Sequence, residues 1–195
     1  MTLNLIDHVL VASLVLVVPW LAHVEYRRLR RELEAGNPGA RIRAYRQTVF
    51  TQWGVTAFVV AYWLWAGRSL PSLGLGVAPS RGLWLGLGLA LAACGFLIFQ
   101  VSAVRRHPEA QAAVRAQIGA LRPLLPHTGA EGRWFTAVSL TAGTCEEVIY
   151  RGFLMAYFAG LGAGAAIVLS TLVFGLSHAY MGRAGAIRAG LVGLV

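Results

Sequence analysis

The 195-residue sequence contains no lysine; all seventeen of its basic residues are arginine. Charge of either sign is scarce, at 13% of residues where a soluble domain carries about 25%. Cysteine is scarce too. Cys94 and Cys145 lie in separate apolar runs without CxxC spacing, which argues against a disulfide framework and a zinc-finger site. Both read as small buried hydrophobes. No phosphate-binding loop, dinucleotide fingerprint or nucleic-acid module is present, so the formal charge of +9 does not point to a nucleic acid. The first apolar run has no basic segment before it, and it ends in Trp20-Leu-Ala-His-Val-Glu25 rather than in a small-residue cleavage site. It is expected to stay as an anchor rather than leave as a signal peptide.

What the sequence does have is apolar length. It is 57% hydrophobic with a mean hydropathy of +0.62, and its apolar residues come in blocks near the roughly 20 residues that cross a bilayer. The expectation is an all-α, polytopic transmembrane helical bundle with about five full spans, a partial sixth and one interfacial helix. The spans are placed at residues 5–24, 49–66, 82–104, 134–159 and 163–180, and the sixth begins near Ala184. Pro19 should kink the first, whose helix runs on to the Gly36-Asn-Pro-Gly39 turn. Gly82, Gly86, Gly88 and Gly95 suit close helix contact in the third. Between residues 107 and 127, Pro108 suits a first helical position, and Val114, Ile118, Leu121 and Leu125 recur at helical spacing. That segment reads as an interfacial helix or a connecting helix on the bundle end. The whole is one membrane domain, 1–195: a three-span support (1–104), a cytoplasmic interfacial segment (105–133) and a core (134–195).

The arginines cluster beside these blocks. Seven lie between spans one and two, five between three and four, and two after span five, against Arg68 and Arg81 on the other side. The positive-inside rule then puts the arginine-rich loops in the cytoplasm and the N-terminus outside. Trp20, Trp53, Trp63, Trp65, Trp84 and Trp134 near span ends read as belt residues. His8, His23, His107 and His127 flank helices and read as interface residues.

One stretch, from Thr141 to Tyr180, carries the chemistry. Glu146, Glu147 and Arg151 sit inside one apolar run, and His178 in the next, across the turn Gly160-Leu-Gly-Ala-Gly164. Ionisable groups at membrane depth are costly and mark functional sites. Taking Gly162 as the turn, Glu147 lies roughly 22 Å and His178 roughly 24 Å below it at 1.5 Å per residue, so both runs deliver polar groups to one depth. Glu147 and Arg151 have the favoured i,i+4 ion-pair orientation and offset each other's desolvation. Glu146 points about 100° away around the helix and has no local cation. A carboxylate without a partner in low dielectric is disposed to act as a general base near neutrality, and His178 can exchange a proton or hold a water against it. A Cys145–His178 nucleophilic pair is disfavoured, because the neighbouring glutamates oppose thiolate formation.

These residues resemble the CPBP intramembrane proteases, also called type II CAAX prenyl endopeptidase-like or Abi proteins. The EExxxR motif is matched by Glu146-Glu147-Val-Ile-Tyr-Arg151, running on into Gly152-Phe153-Leu154, and FxxxH by Phe174-Gly-Leu-Ser-His178. The resemblance covers residues 134–195 and is only architectural before that. It implies a peptide hydrolase in which Glu146 and His178 activate water, with Phe174 as the motif aromatic. It leaves zinc open as a cofactor, with Glu146, Glu147 and His178 as the available ligands. The family also uses a later histidine with Asn or Asp four residues on, and the sequence stops at Val195 before it, as expected either of a truncated chain or of a protein that lacks that motif.

Three functional classes follow: a membrane-embedded endopeptidase, a catalytically inactive membrane partner or immunity-type protein, and a proton-coupled transporter. The transporter would need further polar groups along one route, and spans one to three are expected to supply almost none. The expected partners are the lipid bilayer and a peptide or membrane-protein substrate, without nucleic acid; substrate prenylation and oligomeric state are left open. The expected location is a multi-pass, bacterial-type plasma membrane.

Overall fold

The computed structural model describes residues 2–76, 79, 81–117 and 119–193. Among the described residues every regular element is helical. The first helix, α1, runs from Leu5 to Glu34. Asn4 starts it with a capping box: its side chain accepts from the Ile6 and Asp7 amides, and the Asp7 carboxylate accepts from the Asn4 amide. Over Ser13–Val17 the helix widens into a π-turn just ahead of Pro19. The proline ring would clash with the carbonyl four residues back, and the wider turn makes room for it within a continuous helix. Gly36 and Gly39, both with positive φ, then reverse the chain.

Helix α2, Ala40–Trp65, runs antiparallel to α1. Glu25 accepts from Gln47 and Glu32 from Arg43 at one end, while Tyr62 donates to Asn4 and Arg68 to Asp7 at the other. A 3-10 turn, Leu70–Leu73, follows. Helices α3 (Arg81–Arg106) and α4 (Pro108–Gln117) come next. Helix α5 begins as Gly129–Glu146, becomes π-helical over Glu147–Leu154 and closes with the turn Met155–Phe158. It lies parallel to α2, as Tyr45 against Phe135, Trp53 bonded to Thr141 and Trp63 against Phe153 show in ascending order. Helix α6, Ala163–Ser177, returns antiparallel, with Ser170 donating to the Tyr150 carbonyl. Helix α7, Gly182–Gly193, folds back on α6, where Gly175 faces Ala186 and Gly190. The core gathers Val11, Leu14, Val59, Leu73, Ile149 and Phe153.

The chain divides into two units, Met1–Gly76 with Pro123–Val195, and Val77–Arg122. The first holds α1, α2, α5, α6 and α7; the second holds α3 and α4.

Several expectations change. By length and composition α1 (Leu5–Glu34) and Gly82–Arg106 can cross a membrane, and the α6–α7 pair, bent by 52°, makes a third if counted as one span. The five full spans are not established. Helix α2 carries Arg41, Arg43, Arg46, Gln47 and Gln52, and α5 carries Glu131, Arg133, Glu146, Glu147 and Arg151, which dilute their hydropathy. Helix α6 has 15 residues, roughly 22 Å, short of a hydrocarbon core about 30 Å thick. Pro108 does open a helix, but α4 ends at Gln117 and Leu121 falls in a 3-10 turn, Gly119–Leu124; Ile118 lies outside the described residues. Trp63 is no belt residue: it is fully buried and donates to the Ser69 carbonyl. Cys145 is buried as expected, whereas Cys94 is exposed.

Candidate functional site

The EExxxR segment starts at Glu146, the last α-helical residue, and runs through the π-helical part of α5, a local form frequent at functional sites. Gly152 permits it to seat against the 3-10 turn, because a Cβ there would run into the Leu73 carbonyl oxygen. Arg151 ties three elements together. Its guanidinium pairs with Glu147 at 3.0 Å, donates to the Gly193 carbonyl of α7 at 2.9 Å and lies over the Phe174 ring of α6 at 5.2 Å. The Glu147 side chain is 58% exposed, so the pair is not one of mutual burial: Glu147 sits at the rim, and the rest of the Arg151 environment is supplied by α6 and α7.

Glu146 faces the other way. Its Oε1 accepts from Gln52 Nε2 of α2 at 3.3 Å, and its carboxylate lies within electrostatic reach of His178 and Arg151. The Arg151 guanidinium, five residues further along α5, is paired with Glu147 and acts on Glu146 only electrostatically. Phe174 packs edge-on against Tyr150 at 5.0 Å and tilts over the His178 ring at 4.6 Å.

His178 ends α6, at the break before α7. Its Nδ1 is 2.9 Å from the Phe174 carbonyl oxygen and 3.1 Å from Ser177 Oγ, and Ser177 itself donates to the same carbonyl at 2.7 Å. A carbonyl only accepts, so Nδ1 carries the hydrogen and Nε2 keeps its lone pair. The motif phenylalanine thus contributes twice, through its ring and through the carbonyl that orients the histidine. Such an anchored imidazole can act as a base or hold a water at Nε2.

The structure therefore brings Glu146, His178, Arg151 and Phe174 together and leaves Glu147 at the edge. It does not assemble the zinc ligand set considered above: among the described residues no group of three or more His, Cys, Asp or Glu is placed to hold a metal ion. Glu147 is turned to Arg151, leaving one carboxylate and one imidazole.

Sequence reasoning missed Gln52 and Thr56. Both lie in the second apolar run, where almost no polar groups are expected. Their i,i+4 spacing on one face was the available signal. It also missed Asp7 and Arg68, which form a bidentate pair at 2.7 and 2.6 Å with Asp7 fully buried.

Residues 130–195 match the family model described as type II CAAX prenyl endopeptidase Rce1-like. No curated protein and no solved structure matches the chain. The matched segment begins at the start of α5 and contains both motifs, so it supports the CAAX-protease resemblance, a membrane location and, at a coarse level, a peptidase.

Proposed function

From a C-terminal segment of the type II CAAX prenyl endopeptidase kind, we propose that this protein is an intramembrane endopeptidase that hydrolyses a peptide bond with water activated by Glu146 and His178. One observation carries the reading: a carboxylate and an imidazole from antiparallel helices lie within electrostatic reach of each other, the imidazole anchored through Nδ1. Glu146 removes a proton from water as its oxygen attacks the scissile carbonyl carbon. The tetrahedral intermediate collapses with cleavage of the C–N bond, and the proton passes to the departing amine. His178, with Nε2 open, relays that proton. No step runs through a metal, because the residues do not fit one.

The substrate is a peptide or membrane protein reaching the site from the bilayer, and the arginine-rich loops face the cytoplasm under the positive-inside rule. The test is cleavage of prenylated and unprenylated fluorogenic peptides by the protein reconstituted in lipid. Glu146→Gln and His178→Ala should each cut the rate by about 10²–10⁴ with the thermal transition retained. The double variant should be little worse than either, as for groups acting as one unit. A Glu146→Gln protein cleaving at the wild-type rate overturns the mechanism. A wild-type protein that cleaves nothing but stably retains a membrane protein points to the inactive-partner reading.

A further inference from the structure

Helix α2 presents two polar side chains to the site from within an apolar helix. Gln52 donates from Nε2 to Glu146, yet its own Oε1 is buried without a hydrogen-bond partner, and so is the hydroxyl of Thr56. Thr56 is 5% exposed. Four residues apart, the two stack on one face of α2. In the parallel register with α5, Thr56 falls between the Trp53–Thr141 bond and the Trp63–Phe153 contact, as Glu146 does, and Gln52 reaches Glu146 from just before Trp53. Native proteins seldom leave two neighbouring buried polar atoms unsatisfied, and ordered water is the usual partner, held by about three groups.

We propose that Gln52, Thr56 and Glu146 form a binding site for one water molecule, and that this water is the hydrolytic one; the second half rests on the peptidase reading. The donor and acceptor inventory closes. The Thr56 hydroxyl donates to the water oxygen, and the two water hydrogens go to Gln52 Oε1 and to Glu146 Oε2. The Gln52 amide holds Glu146 Oε1, so Oε2 is the oxygen turned to the water. On attack the water O–H bond to Oε2 breaks and its proton moves to Glu146 for delivery to the departing amine, while the oxygen bonds to the substrate carbonyl carbon and the C=O π pair moves onto the carbonyl oxygen. The substrate peptide is the only co-reactant.

The experiment compares Thr56→Val, nearly isosteric without the hydroxyl, with Thr56→Ser, which restores it, following both thermal stability and cleavage kinetics. A held water predicts a lower Tm for valine and recovery with serine. It also predicts a kcat loss of roughly tenfold or more, a modest share of a general-base effect, with KM unchanged. A buried hydroxyl with no water predicts the opposite, since removing an unsatisfied polar group is neutral or stabilising; an equal or higher Tm for valine overturns the site. A lower Tm with unchanged kcat leaves a structural water and overturns its role as nucleophile, while loss of activity in Glu146→Gln would keep the peptidase reading. If wild type cleaves nothing but the valine–serine contrast in Tm holds, the water site stands and the peptidase reading falls. Gln52→Met repeats the comparison should Thr56→Val not fold.

Discussion

Arg151 shows how a residue can be paired as its spacing suggests and yet owe its importance to other contacts. The i,i+4 arrangement with Glu147 forms at 3.0 Å, but with Glu147 more than half exposed that pair is worth only about 0–1 kcal/mol. The bond to the Gly193 carbonyl and the contact with Phe174 join α5 to α7 and α6, and a hydrogen bond to a charged group contributes about 1.5–3 kcal/mol. Arg151→Ala should therefore lower stability in detergent by about 2–3 kcal/mol, and Glu147→Gln by less than about 1 kcal/mol. Equal losses in the two variants, measured by denaturant titration, would return the weight to the ion pair. His178 teaches a similar point: its bond to a backbone carbonyl looks like that of an ordinary core histidine, but it also fixes the tautomer that leaves Nε2 open.

At the scale of elements, helix ends do more than sequence periodicity suggests. The Asp7 of the α1 capping box also receives Arg68 from the loop after α2, with Asp7 fully buried and the Arg68 side chain 10% exposed. The guanidinium stacks over Trp63 at 4.8 Å as well. Arg68→Ala strands a buried carboxylate and should cost about 3–5 kcal/mol, read as a large drop in Tm. Helix α5 starts with a second capping box, Thr128 with Glu131. The His127 amide, 2.7 Å from Glu131 Oε2, holds that carboxyl below its usual 4.5, helped by Arg41 and the Thr128 amide against the opposing effect of burial. A lowered folded-state pKa contributes stability above the unfolded value and loses it as pH falls through the folded one. The Tm gap between wild type and Glu131→Gln should thus be full above pH 4.5 and shrink below it. A gap that stays constant through acid pH would show that the carboxylate charge plays no part in the cap.

For the molecule as a whole, the proposed orientation can be tested by accessibility labelling of single-cysteine proteins. Asn37→Cys, in the exposed turn after α1, should be protected from an impermeant outside reagent, and Leu75→Cys, exposed after the 3-10 turn, should react. The reverse pattern would invert the topology. The all-helical class and the two motifs were legible because composition and fixed spacings are properties of the chain itself: apolar length makes helices, and EExxxR with FxxxH needs no contact to be seen. The number of spans was not, since an apolar run as short as α6 can fold back as well as cross, and which it does depends on the glycine faces it meets in α7. The sequence by itself determined that Glu146 and His178 stand equally far along the chain, sixteen residues, on either side of Gly162. Only the tertiary structure decided that Gln52 of α2 bonds to Glu146, with Thr56 buried one turn on, and that Glu147 turns outward to Arg151, because the parallel register of α2 on α5 and the π-helical turn are set by packing between helices rather than by spacing within one.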